Sequence, residues 1–373
     1  MKCSQSRTVF LNFLHYTALY ASRPYLSLLA QEMGGSEIEI GFVVSLYSFI
    51  QVATALLVGY WIDKSGIKRP SCCGSICFFC GTSILMFSSC LRQVGIGSLF
   101  MGIGHGIVLL CGQHSVTSVP DDTARTAAVG WLSFFNSVGT AAGPLIGGKL
   151  RDLYGLHYGF SGAVLLSFGA ILAAFSMPST QVKASIHNRA PLRIKKSLVL
   201  DIILSGTVFF VADVISVYLP LYTYQMALSG ILTGTILSAN GVAQMIVRPF
   251  MGYLRKWFSV RRLLQSCLLI GGICIALIGC SSTFKILLLT STLAGCALGL
   301  ANPLTLLTVS SSAKSSERSQ ILSLRVVANY SAQALSPIIF GSLFAVAGLS
   351  PVLWCAGGIL FCAGITMQCI ENK

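Results

Sequence analysis

The chain has 373 residues, 54% of them hydrophobic and only 10% charged, with a formal net charge of +14. Soluble domains carry about 25% charged residues, so this composition excludes an ordinary soluble protein. So basic a soluble chain would point to nucleic acid, but the placement of its Lys and Arg residues, taken up below, assigns the charge to membrane topology and no nucleic-acid partner is expected.

A membrane-spanning helix needs about 20 mostly apolar residues. Twelve such runs follow one another, near 9–29, 40–61, 71–91, 94–118, 127–148, 158–177, 198–222, 231–254, 263–281, 286–310, 320–345 and 350–369. The first is read as a spanning helix and not as a cleaved leader. It is too long for a leader's apolar region, carries Arg23-Pro24 and lacks a small-x-small cleavage site. With both termini in the cytoplasm, 18 of the 25 Lys and Arg residues fall in cytoplasmic segments. Arg92, Lys149, Arg151 and Lys285 lie outside, and Arg23, Arg248 and Arg325 lie within runs. That asymmetry follows the positive-inside rule and predicts a multi-pass protein of the plasma (inner) membrane.

The runs repeat at an offset of 193 residues. Tyr25 pairs with Tyr218, Gly41 with Gly234, Gln51 with Gln244, Gly59 with Gly252, Arg69 with Arg262, Asn136 with Asn329, Pro144 with Pro337 and Gly148 with Gly341. The matches favour Gly, Pro and loop Arg, where geometry or topology limits the choice. The expected fold is therefore an all-α membrane protein of twelve transmembrane helices in two parallel six-helix repeats. Residues 1–177 form the N-terminal half, 178–197 a basic cytoplasmic linker and 198–373 the C-terminal half. Halves related in this way can rock about a shared central site.

The first motif lies after the second run. Gly59 to Arg69 reads GYWIDKSGIKR. Gly59 is read as closing a helix and Gly66 as a tight turn. Lys64, Lys68 and Arg69 mark the cytoplasmic face. Asp63 can pair with these cations or sit at a helix N-terminus. The stretch resembles the G-x-x-x-D-[RK]-x-G-x-[RK]-[RK] signature of the major facilitator superfamily, matching at Gly59, Asp63, Lys64, Gly66, Lys68 and Arg69. The resemblance implies a gate element that holds the outward-open state. The second copy, GYLRKWFSVRR at Gly252 to Arg262, has Lys256 where Asp63 stands.

The third run carries Cys72, Cys73, Cys77 and Cys80, but no His or acid stands beside its CxxC. These are read as small apolar filler, and no metal is expected. In the fourth run, Gly102, Gly104 and Gly106 form a G-x-G-x-G series. Antiporters of this superfamily often carry an arginine four residues earlier; here that place holds Ser98. His105, inside the series, could substitute or could be a satisfied neutral side chain.

The fifth run, GWLSFFNSVGTAAGPLIGG from Gly130 to Gly148, has five glycines and a proline in 19 residues. Within a bilayer such a segment must still be helical, and small residues let a neighbouring helix approach closely. It is read as a packing seam with a bend. It resembles the G-x8-G-x3-G-P-x2-G-G motif of the drug/proton antiporter group, matching at Gly130, Gly139, Gly143, Pro144, Gly147 and Gly148. That resemblance implies export. In the eleventh run Gly130, Gly139, Gly143 and Gly147 are replaced by Ser323, Ala332, Ser336 and Phe340, so the close glycine face is specific to the first copy.

Ionisable groups inside a membrane are costly and mark function. Asp213, in the seventh run, is the one acid well inside a span. It is read as facing a cavity, to bind a proton or a cationic group or to pair permanently with Arg23. His15, Gln51, Gln244, Asn136 and Asn329 complete the cavity candidates, with His105. Arg325 enters the eleventh run within about a turn of the cytoplasm and is expected to snorkel. No nucleotide-binding loop is visible, so no cofactor is expected and a proton gradient is the expected energy source. The expected activity is proton-coupled efflux of a small molecule by a monomer in the bilayer. Proton-coupled uptake is the alternative. A membrane-embedded enzyme is a remote one, because the titratable groups do not form a catalytic set.

Overall fold

Helices make up the regular structure of the computed structural model, which describes residues 3–119, 122–178, 196–311 and 318–371. The helix α1 (Cys3–Ser22) runs through a 3-10 turn (Arg23–Tyr25) into α2 (Leu26–Glu32). Then come α3 (Glu37–Ser65), α4 (Lys68–Met86), α5 (Leu91–Thr117), α6 (Asp122–Tyr154), α7 (Leu156–Gly159) and α8 (Ser161–Phe175). The chain continues with α9 (Lys196–Gln225), α10 (Gly230–Leu254), α11 (Val260–Ile278), α12 (Phe284–Ser311), α13 (Arg318–Ala347) and α14 (Leu349–Glu371). The basic linker predicted at 178–197 lies almost wholly outside the described residues.

Among the described residues, nine helical stretches are long and apolar enough to cross a membrane. The predicted runs at 9–29, 71–91 and 127–148 are helical but are not among them. Each is diluted by polar or small residues. The first holds Asn12, His15, Thr17 and Arg23; α4 starts Lys68-Arg69-Pro70; α6 carries Ser133, Asn136, Ser137 and Thr140. Helices of this composition earn their place by packing and internal hydrogen bonding more than by apolarity. Thr17, Ser22, Ser137 and Thr140 return their hydroxyls to carbonyls three or four residues back on their own helix.

Two compact units emerge. The first takes in α1, α2, α3 from Leu46 onward, α4 to α8, and Ser229–Ser238 at the start of α10. Within it α1 lies against α6 and α8, and α4 against α5 and α8. Leu11, Ile62, Ile107, Val108 and Ala170 share one buried cluster. The second unit takes in Ser36–Ser45, α9, α10 from Ala239, and α11 to α14. There α9 packs on α12, α13 and α14, and α11 on α12 and α14.

Each unit contains the same tie. In the first, the Tyr25 hydroxyl donates to the Pro144 carbonyl at 3.0 Å. In the second, the Tyr218 hydroxyl donates to the Pro337 carbonyl at 2.8 Å. All four side chains follow the 193-residue offset. Glycine serves both places: the Gly234 backbone lies against Pro144 and Leu145, and the Gly41 backbone against Pro337 and Gly341.

One contact was not foreseen. The Asp152 carboxylate, near the end of α6, accepts the backbone N–H groups of Gly230 at 2.5 Å and Ile231 at 2.8 Å. It caps the start of α10, where unsatisfied donors and the helix dipole favour an anion. The duplication could not point to it, because its counterpart is Ala345. Asp152→Ala is expected to lower stability by about 1 kcal/mol, read as a lower thermal unfolding midpoint in lipid nanodiscs. Asp152→Asn, which keeps one acceptor oxygen, is expected to lose less.

Candidate functional site

The signature loop differs in detail from its sequence reading. Gly59 does not close a helix, since α3 continues to Ser65. A Cβ at Gly59 would meet nothing within 4 Å, so packing puts no stop there. The helix ends at Gly66, whose φ of +73° is the left-handed conformation glycine allows. Its N–H closes on the Ile62 carbonyl at 2.9 Å. Lys68 and Arg69 then open α4. Asp63 therefore sits in the last turn of α3, not at a helix N-terminus. Its Oδ1 lies 3.9 Å from His114 Nε2, at the end of α5. Among the described residues that is its ion contact, in place of the expected Lys64, Lys68 or Arg69.

The glycine face of α6 presses onto the backbone of α1. A Cβ at Gly139 would stand 2.9 Å from the Thr17 nitrogen, and one at Gly143 2.7 Å from both the Ala21 nitrogen and the Thr17 oxygen. At Gly147 it would meet the Tyr25 ring at 2.7 Å, and at Gly148 the Tyr25 hydroxyl at 2.8 Å. Pro144 lies inside α6, which runs on through it. Gly130 is the exception: a Cβ there would meet nothing within 4 Å, so it takes no part in the seam. The matching face of α13 is built with side chains. Ser336 donates its hydroxyl to the Phe210 carbonyl at 2.8 Å, and buried Phe340 lies 5.1 Å from the Phe210 ring.

The polar candidates fall into several groups. In the first unit, His15 on α1 and His105 on α5 meet directly, Nε2 to Nδ1 at 3.1 Å. Both are buried. Tyr16 and Tyr47 stand beside His105, with ring centroids 5.5 Å and 5.9 Å away. The Arg23 guanidinium lies 4.7 Å over the same Tyr47 ring. Gln51, one turn along α3, donates to the Tyr47 carbonyl at 3.1 Å. Ser98 is fully buried, with no hydrogen-bond partner for its hydroxyl. Asn136 accepts no hydrogen bond at its buried Oδ1.

In the second unit, Asp213 Oδ1 accepts from Gln333 Nε2 at 3.0 Å. Asn329, four residues before Gln333 on α13, accepts from Ser205 at 2.9 Å. Gln244 donates to Asn240 at 2.8 Å, and Asn240 donates to the Ser291 carbonyl at 2.8 Å. Arg325 does not snorkel. It is buried, and its Nη2 reaches the Asn302 carbonyl at 3.2 Å, Asn302 Oδ1 at 3.1 Å and Thr305 Oγ1 at 3.2 Å. Three oxygens on α12 hold the guanidinium inside, so the cation needs no route to the membrane surface.

Sequence reasoning missed Gln333, Tyr47, His114 and the Asn302–Thr305 pair. Helical spacing carried a signal for the first two: Gln333 is one turn from Asn329, and Tyr47 one turn from Gln51. The others depend on contacts between helices distant in sequence.

A family model described as Major Facilitator Superfamily matches residues 8–264 and 202–370. The chain belongs to the major facilitator superfamily. This major facilitator protein is 31% identical over 157 residues to an uncharacterised transporter of the same superfamily from Methanocaldococcus jannaschii, covering 40% of this chain and 38% of that one. It is 23% identical over 223 residues to the methyl viologen resistance protein SmvA of Salmonella typhimurium, covering 59% and 43%. It is 32% identical over 142 residues to a class D tetracycline resistance protein of Salmonella ordonez, covering 36% and 34%. The chain thus spans under half the length of these curated relatives. Among solved structures, it superposes on a POT peptide transporter in complex with sulfate with a TM-score of 0.83, at 15% identity over 99% of this chain and 94% of that one. A POT family transporter in complex with 5-aminolevulinic acid gives 0.84 at 14% identity, over 99% and 96%. At such identity the likeness shows the fold. The family and the nine candidate spans among the described residues make this chain a multi-pass membrane protein of the major facilitator superfamily.

Proposed function

We propose that this transporter exports a small molecule in exchange for protons, by alternating access of two parallel six-helix repeats that together supply twelve spans. It works as a monomer in the plasma (inner) membrane, both termini in the cytoplasm, powered by the proton gradient and no cofactor. The observation that carries export is the α6 seam. Gly139, Gly143 and Gly147 bring α6 close onto the α1 backbone at Thr17 and Ala21. Sealed helix contacts of this kind limit leak while the cargo moves against its gradient. The duplicated reading draws support from the Tyr–Pro tie that occurs once in each unit. Resistance proteins among the relatives fit an exporter of xenobiotics, and methyl viologen and tetracycline are the first compounds to try.

Uptake by symport is the second reading, and one observation favours it: Ser98 stands, buried, where antiporters of this group often hold arginine. Purified protein in vesicles, loaded with methyl viologen and given pH gradients of either sign, separates the two. Antiport predicts that an outward movement of the compound is accelerated by protons moving in. Acceleration only when compound and protons move together would replace export by symport.

A further inference from the structure

Two of the chain's five histidines meet inside the first unit. His15 comes from α1 and His105 from the glycine-rich series of α5. Phe78 of α4 packs on His15 with centroids 4.3 Å apart, and Tyr16 and Tyr47 flank His105. His15 is fully buried, and its other nitrogen, Nδ1, has no hydrogen-bond partner. His105 keeps 6% of its surface open. His15 is thus the more enclosed of the two buried rings.

Two imidazoles joined by one hydrogen bond obey a strict count. A neutral imidazole has one donor and one acceptor nitrogen, whereas an imidazolium has two donors and no acceptor. Two neutral rings can share the bond. One neutral ring and one imidazolium share it better, because the donor is charged. Two imidazolium rings cannot form it at all. The arrangement accommodates one added proton and rejects a second.

From this geometry we infer that His15 and His105 together form a proton-binding site of capacity one that takes up the transporter's coupled proton. The inference rests on the proton-coupled reading of the transporter. The proton arrives at His105 Nε2, the ring nitrogen that lies outside the shared bond. The bridging N–H of His105 then points to His15 Nε2, and the charge is shared across the bond. Release retraces these steps, so protons are conserved in each cycle.

The charged and titratable groups shown facing the pair are Arg23 from the 3-10 turn, Tyr16 from α1 and Tyr47 from α3. No carboxylate of this unit faces it among the described residues. Arg23 and His105 lie against one aromatic ring, that of Tyr47. Protonating the pair places two cations at that ring, where they repel. Proton uptake and the present place of Arg23 therefore compete. Arg23 sits on the 3-10 interruption between α1 and α2, where the helix changes its hydrogen-bond pattern.

The test uses the full chain in lipid nanodiscs, with acid as the only ligand. In wild-type protein labelled with 15N-histidine, both rings are expected to shift together, with one common midpoint, as the pH is lowered from about 8 to the acid limit of the folded protein. Potentiometric titration over that range is expected to show His15→Leu losing about one proton per molecule, His105→Leu about one, and the double variant also about one. Each leucine removes the acceptor that makes the other ring's charge tolerable. Additive loss in the double variant means two independent histidines and overturns the inference. So does the absence of any shift of either ring in the wild type, a measurement that needs no variant to fold. Proton-coupled transport fails separately, in the vesicle experiment, where a pH gradient without effect would leave the ring titration as it is.

Discussion

Gly143→Leu is expected to abolish transport. A Cβ at this position would already stand 2.7 Å from two backbone atoms of α1, Ala21 N and Thr17 O, and a third, the Tyr20 carbonyl carbon, is as close. Backbone cannot rotate away as a side chain can. Because Cβ is fixed by the backbone, α6 must be pushed off α1, at a cost of about 2 kcal/mol or more. Separation opens the seam, and vesicles are expected to leak the loaded compound without a pH gradient. Gly130→Leu is the control within the same motif, because a Cβ there meets nothing within 4 Å. It is expected to leave transport close to wild type. Equal loss in both variants would show that the motif works through something other than the α1–α6 approach. Unchanged efflux and leak in Gly143→Leu would remove the structural case for export.

Asp213→Asn carries the second large expectation. The substitution keeps the volume of the side chain and an oxygen to accept from Gln333, now at 3.0 Å, while it removes the charge. Removing one member of a buried charged interaction typically costs 2–5 kcal/mol, so export of cationic compounds is expected to fall on the order of a hundredfold. Uncharged compounds are expected to be less affected, because packing and the Gln333 bond persist. Uniform loss across charged and neutral compounds would make Asp213 a structural partner of α13. Undiminished export of cations would show that its charge plays no part in recognition.

The sequence was informative where backbone geometry or topology restricts the residue type. Gly66 could be read as a turn because only glycine takes its φ of +73° without strain. The seam could be read from glycine spacing, since a helix repeats its faces every three or four residues. The duplication brought out Tyr25, Pro144, Tyr218 and Pro337 before their shared tie was known. What stayed hidden has a common physical basis. His15 and His105 are 90 residues apart, and Asp152 and Gly230 are 78 apart. Their encounters depend on which helices pack together, and one sequence does not encode that pairing locally. Arg325 was misjudged for the same reason: snorkelling is the default for a lone cation near a membrane face, and the oxygens that overrule it come from α12. Gly59 misled through composition, since a glycine near a helix end looks like a stop when it is only a helical residue without neighbours.

The Asp152 cap distinguishes the starts of α3 and α10. At α3, Ser36 and Glu39 satisfy each other locally: the Glu39 carboxylate accepts both the backbone N–H and the hydroxyl of Ser36. At α10 the acceptor comes from α6, through Asp152. The amides of Gly230 and Ile231 therefore exchange with deuterium at a rate set by whether the start of α10 is docked on α6, while the amide of Ser36 is shielded by its own turn. Those two amides form a built-in gauge, readable by deuterium exchange and mass spectrometry with no attached probe, of how often the seam end of α6 and the start of α10 part.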